Sequence, residues 1–117
     1  WRADSGMLAA LHAIAALGMT ELKLSELLAP YSRYVASGEI NSKVKDGAAI
    51  MSSLKARFQD QPGVSIDELD GLTVDGDTWW FNVRASNTEP LLRLNVEAKS
   101  EAQMVNLRDE LLALIRA

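Results

Sequence analysis

Cysteine is absent from this 117-residue chain. That excludes a disulfide scaffold, thiolate-bound zinc and a cysteine nucleophile. A single histidine, His12, excludes most histidine-built metal sites and gives a Ser–His–acid triad little to draw on. Positive charge is in deficit, with twelve Lys and Arg against sixteen Asp and Glu and a net charge of −4. No basic field therefore draws in nucleic acid or an anionic membrane. No apolar run reaches the ~20 residues a spanning helix needs. No secretory or transit signal is visible, so the chain reads as cytoplasmic. Seven Gly and three Pro exclude collagen-like repeats. What is present, 48% hydrophobic and 24% charged residues, is the make-up of a small acidic globular module. The first residues, Trp1-Arg2-Ala3-Asp4, include no initiator Met and read as the middle of a folded element, hence as part of something longer.

From Asp4-Ser5 onward, Met7, Leu8, Leu11, Ile14 and Ala15 recur at helical spacing, and Gly18 is placed to end that helix. Leu24, Leu27 and Leu28 suggest a second, shorter helix with Pro30 just past its end. Periodicity is lost over residues 31–38, which read as a linker, and Glu39–Val44 as a short strand. Asp46 is the expected N-cap of a helix carrying Ile50, Leu54 and Phe58 on one stripe. After the Gln61-Pro62-Gly63 break come three β segments, Val64–Val74 with a split at Asp70-Gly71, Thr78–Ala85 and Leu91–Ala98. Asp75-Gly76 is a hairpin signal between the first two. In the last, Leu92, Leu94 and Val96 alternate with Arg93, Asn95 and Glu97, the pattern of a sheet with one buried face. Ser100 and Gln103 form a capping box ahead of a helix carrying Met104, Leu107, Leu111 and Leu114. Consecutive strands imply an α+β domain, an antiparallel sheet with helices packed on one face.

One stretch asks for more than a structural explanation. Arg84-Ala85-Ser86-Asn87-Thr88-Glu89-Pro90 connects two clearly alternating strands and so sits exposed at one sheet end. It offers a guanidinium, two hydroxyls, a carboxamide and a run of backbone N–H groups. Arg donates paired, charge-assisted hydrogen bonds to phosphate oxygens. Hydroxyls and turn amides complete an anion nest without adding charge. The other reading is an ordinary turn, since Ser, Asn, Thr and Pro are also what turns are built from.

Those seven residues, with Leu91–Glu97 behind them, resemble the C-terminal phosphate-binding loop and following strand of the α-D-phosphohexomutases. The resemblance is nearest to the bacterial phosphomannomutase and phosphomannomutase/phosphoglucomutase branch, which Asn87 favours over the glucosamine enzymes. Ala3–Met7 resembles a helix start late in the family's third domain, and Ala36–Asn41 the start of the fourth. The likeness implies that residues 1–35 are a helical remnant of the third domain and 36–117 the C-terminal substrate-phosphate-binding domain. It implies about four antiparallel strands, TATA-box-binding-protein-like in shape, within the α+β class. It further implies that Arg84, Ser86, Asn87 and Thr88 hold the non-transferred phosphate of mannose or glucose 6-phosphate or 1-phosphate. The family's isomerase chemistry runs through a phosphoserine, Mg2+ and a bisphosphorylated hexose intermediate. Its phosphoserine loop, Asp-rich magnesium loop and Gly-Glu-x-Ser segment are not in this sequence; in the family they lie upstream, so this fragment alone is expected to be inactive.

Other residues carry plainer readings. Asp75-Gly76-Asp77 lacks a third spaced carboxylate because position 79 is Trp, and no metal is assigned. Trp79 and Trp80 point to opposite faces of one strand, so at most one is core and the other covers the sheet or meets another domain. Arg93, on the polar face, either assists the phosphate or pairs with Glu97 or a neighbouring strand. The alternative to a mutase domain is a non-catalytic α+β interaction module, which would need a sizeable exposed apolar patch.

Overall fold

A computed structural model describes residues 5–117 and divides between Arg33 and Tyr34 into two compact units. Asp4, expected at the start of the first helix, lies outside the described residues with Trp1, Arg2 and Ala3. In the first unit, helix α1 (Gly6–Gly18) begins where the Ser5 hydroxyl accepts the Leu8 N–H at 3.4 Å. Its apolar residues stand open, Met7 at 73% and Ile14 at 67% exposure. Helix α2 (Leu24–Leu28) starts with the Glu26 carboxylate accepting the Lys23 N–H at 2.8 Å. A 3-10 turn over Ala29–Tyr31 follows, with Pro30 in its first positions, where a missing N–H costs nothing.

The second unit is the α+β domain. Its elements are β1 (Val35–Ala36), β2 (Ile40–Lys43), α3 (Gly47–Phe58), β3 (Ser65–Asp67), β4 (Leu72–Asp75), β5 (Trp79–Ala85), β6 (Leu91–Ala98) and α4 (Glu101–Ile115). All pairings are antiparallel. β1 and β2 share one edge of β6, while β5, β4 and β3 follow in order on the other. Six strands thus stand where about four were expected. β3 and β4 are the two halves of the expected Val64–Val74 segment, split around Asp70-Gly71, and the strand not expected is β1, whose two residues are too few to display alternation.

Alternation along β5 and β6 places Phe81, Val83, Leu92, Leu94, Val96 and Ala98 on the face that carries the helices, each at 1% exposure or less. Against them pack Leu54 and Phe58 of α3 and Met104, Leu111 and Ile115 of α4. Phe58 meets Phe81 edge-on at 5.1 Å and Trp79 at 5.8 Å. Trp79 therefore belongs with the core, and Trp80 on the opposite face donates its indole N–H to Glu97 at 3.2 Å. Asp46 caps α3 through the Ala49 N–H at 2.9 Å, as expected.

Several local expectations are corrected. The β4–β5 hairpin turns two residues later than Asp75-Gly76. The Gly76 N–H closes on the Trp79 carbonyl at 2.8 Å, leaving Asp77-Thr78 at the tip. Gly76 has no positive φ; a Cβ there would lie 2.5 Å from the Trp79 ring, so close approach is what requires glycine. The capping box at α4 is half made. Ser100 accepts the Gln103 N–H, but the Gln103 amide donates to the Thr78 hydroxyl at 2.7 Å. The stripe of α4 ends on Ile115, which is buried, while Leu114 stands 36% exposed. Part of the expected linker is strand, since Val35 and Ala36 pair with Ala98 and Glu97. That pairing is made across more than half the chain and leaves no local periodicity.

Candidate functional site

The same alternation that buries Val83 and Leu94 turns Arg84 and Arg93 to the face without helices. There the rungs of β5 and β6 run Trp80–Glu97, Asn82–Asn95 and Arg84–Arg93. The Asn82 carboxamide donates to the Thr73 hydroxyl and the Asp70 carbonyl, both at 2.9 Å, and so pins the β3–β4 bend to the sheet. At that bend Gly71 takes φ +76, and a Cβ on it would come within 2.7 Å of the Arg84 Cβ. Glycine is needed there on both counts.

Beyond Arg84 the chain turns through Ser86–Pro90. The Ser86 N–H donates to the Leu91 carbonyl at 2.9 Å, closing the loop, and the Val44 N–H donates to the Pro90 carbonyl at 3.2 Å. Arg84, Ser86, Asn87 and Thr88, all four of the predicted site residues, line one cleft of about 230 Å³ together with Ala85 and Arg93. Asn87 and Thr88 are exposed and Arg84 is half-buried. The Ser86 hydroxyl is buried, and no described residue bonds to it. The Arg93 Nε–H shares that condition.

Larger clefts of about 390 and 420 Å³ run beside α3 and α4. Their charged side chains are already paired, Lys55 with Glu68 and Glu110 with Arg57. Buried polar groups in folded proteins are nearly always bonded, so unpaired ones mark where water, an ion or a ligand is taken up. By that criterion the loop cleft stands out. Among the described residues no three His, Asp or Glu side chains gather to hold a metal ion.

Acidic residues sit at the rim. Glu39, the residue before β2, places Oε2 at 3.4 Å from one Arg84 nitrogen and Oε1 at 3.6 Å from one Arg93 nitrogen. Asp70 stands 3.7 Å from Arg84 on the other side. Arg93 thus pairs with Glu39 at the start of the neighbouring strand, and not with Glu97, which is occupied by Trp80. Glu39 is the residue the sequence reading did not single out. It lies 45 positions from Arg84, and no local spacing signals their meeting.

The family described as phosphoglucomutase/phosphomannomutase, C-terminal domain, matches residues 39–114. A phosphomannomutase of Methanocaldococcus jannaschii is 43% identical over 112 residues, covering 96% of this chain and 24% of that protein. A protein of Xanthomonas campestris named phosphohexose mutases is 40% identical over 109 residues, 92% of this chain and 24% of its own length. The crystal structure of a phosphoglucomutase/phosphomannomutase family protein from Burkholderia thailandensis superposes with a TM-score of 0.69 at 25% identity, over 99% of this chain and 24% of that one. The chain spans about a quarter of the length of the relatives it matches.

Proposed function

The chain belongs to the phosphoglucomutase/phosphomannomutase family, matching its C-terminal domain, and on that premise we propose that it holds the non-transferred phosphate of a hexose phosphate. The reaction proposed for a longer protein carrying it is the interconversion of hexose 6-phosphates and 1-phosphates, of phosphomannomutase or phosphoglucomutase type, in the cytoplasm. Transfer belongs to upstream domains, with their phosphoserine and Mg2+, and passes through a bisphosphorylated hexose. Among the described residues no cluster of carboxylates fits the magnesium ion, so no step is assigned to it here. The fragment alone binds and does not catalyse.

What these residues contribute is positioning. The Arg84 guanidinium can donate two parallel N–H bonds to phosphate oxygens. The Ser86 and Thr88 hydroxyls and the Asn87 amide add neutral donors around the remaining oxygens. A sugar gripped by the phosphate that does not react is held for attack at its other end, and binding energy remote from the reacting atoms lowers the barrier. In such a reaction the sugar presents its two ends in turn, so one cradle serves both half-reactions. The observation that carries this reading is the buried hydroxyl of Ser86, unbonded among the described residues, on a residue that lines the same cleft as Arg84. An interaction module lacks comparable support, since the large apolar side chains exposed in the second unit are Tyr34, Val35, Leu69 and Leu114, the last at only 36%.

The test is a titration of the nitrogen-15-labelled chain with mannose 6-phosphate. Saturable shifts of the Ser86, Asn87 and Thr88 amides are expected, absent with mannose, at an affinity as weak as ~1 mM. Arg84→Ala should abolish them while the rest of the spectrum keeps its dispersion. A flat response at tenfold that concentration would remove the cradle.

A further inference from the structure

Arg84 and Arg93 face each other directly across β5 and β6. Like charges at opposed positions repel, so this rung works against the fold unless something compensates it. Glu39 compensates it in part, with one carboxylate spread over both guanidiniums at 3.4 and 3.6 Å. For Arg84, Asp70 adds a second carboxylate at 3.7 Å, itself 80% exposed and so strongly screened. Arg93 has only its share of Glu39 among the described residues, and its Nε–H is buried without an acceptor. Arg93 lines the same cleft as Ser86, whose buried hydroxyl is likewise unpaired among the described residues. Two cations and two orphaned polar groups around about 230 Å³ suit a tetrahedral dianion with several acceptor oxygens.

We propose that Arg93 is a further binding residue for the substrate phosphate, the second guanidinium of a two-arginine clamp that selects a phosphate dianion over a monoanion. This rests on the cradle assigned to Arg84, Ser86, Asn87 and Thr88 and adds a member from the strand beyond the loop. The clamp explains why a like-charge rung stands at the end of a face whose other rungs are neutral or paired. It also gives the site a charge preference, because two cations gain more from a doubly charged ester than from a singly charged one.

The experiment compares mannose 6-phosphate with mannose 6-sulfate at about pH 7.5, above the second phosphate pKa of ~6. Binding to the labelled chain is read from the Ser86–Thr88 amides, and contact from the Arg93 Nε–H resonance. For the unaltered chain the phosphate ester should bind more tightly and move the Arg93 Nε–H signal. Arg93→Gln should weaken the phosphate ester by about tenfold and the sulfate ester by about threefold or less, as expected for loss of one charge-assisted contact. Arg93→Lys, which keeps the charge and loses the fork, should recover part of the difference. Equal losses for both esters would assign Arg93 a merely structural role and overturn the proposal, as would affinities unchanged in both variants. Amide shifts at Ser86–Thr88 with a still Arg93 Nε–H would overturn it while leaving the cradle intact. No response of the unaltered chain to either ester would remove the cradle and this clamp together.

Discussion

Where Val83 faces Leu94 across β5 and β6, the pair is sealed from water; one residue along, Arg84 faces Arg93 and both keep about a third of their side chains exposed. These neighbouring rungs belong to the two faces of one sheet. On the helix side every residue contributes by leaving water, and composition and spacing suffice for that. On the open side each polar group needs a named partner. Asn82 finds Thr73 and Asp70, Trp80 finds Glu97, and the sequence of satisfied pairs stops at the loop, where Ser86 and Arg93 keep unbonded buried atoms. One face holds the domain together, and the other leaves a few groups unmatched at one end. That division is what lets a small domain carry a polar site without weakening its core.

The strongest way to break the comparison is to cut into the sealed face. Phe81 is fully buried and packs edge-on against Phe58 at 5.1 Å. Phe81→Ala should cost about 3–5 kcal/mol, the transfer loss plus the cavity left behind. In a domain this small that approaches the whole stability, so the readout is the urea midpoint, with the folded fraction taken from the amide spectrum. A loss under ~1 kcal/mol would mean that the core is looser than its burial implies.

The sealed face is also the one the sequence makes legible. Leu92, Leu94 and Val96 announce it by alternation, and Leu54 and Phe58 by helical spacing behind the Asp46 cap, all of them signals carried within a few residues. The short strand β1 is not legible, because its only reason to be extended is β6, some sixty positions away. The true hairpin tip is hidden for a related reason, since what demands Gly76 is the Trp79 ring lying against it and not a turn conformation. At the site, the loop from Arg84 to Thr88 can be picked out from residue types alone. Its neighbours cannot, because Glu39 and Gly71 join it only through strand register. Contacts made across the sheet are where local reading fails.

Gly71 couples the two faces and so sharpens the comparison. It requires glycine twice, once for φ +76 and once because a Cβ would press on the Val83 carbonyl and the Arg84 Cβ. Gly63 has the same φ of +76 and nothing within 4 Å, which makes it the natural control. Gly63→Ala should cost about 1 kcal/mol for its backbone conformation alone, and Gly71→Ala about 2–3 kcal/mol. The excess measures the close approach. Because that approach is to Arg84, Gly71→Ala should also weaken mannose 6-phosphate binding, whereas Gly63→Ala should leave it unchanged. Equal costs in the two variants would show that the bend does not support Arg84.

The smallest effect has the opposite sign, and it is the one that separates the faces most cleanly. Truncating a side chain on the sealed face removes favourable burial. Truncating Ser86 removes a buried hydroxyl that no described residue bonds to. An unmet buried polar group opposes folding, so Ser86→Ala should raise stability by up to about 1 kcal/mol. The same change should weaken binding of mannose 6-phosphate several-fold, because the hydroxyl is then missing where the phosphate oxygens would take it up. Urea midpoints and amide titrations on one sample measure both. Stability lost together with affinity would mean that the hydroxyl serves the fold, and the open face would then be as self-contained as the sealed one. Stability gained while affinity falls is the pattern of a group that the fold tolerates and only a ligand satisfies.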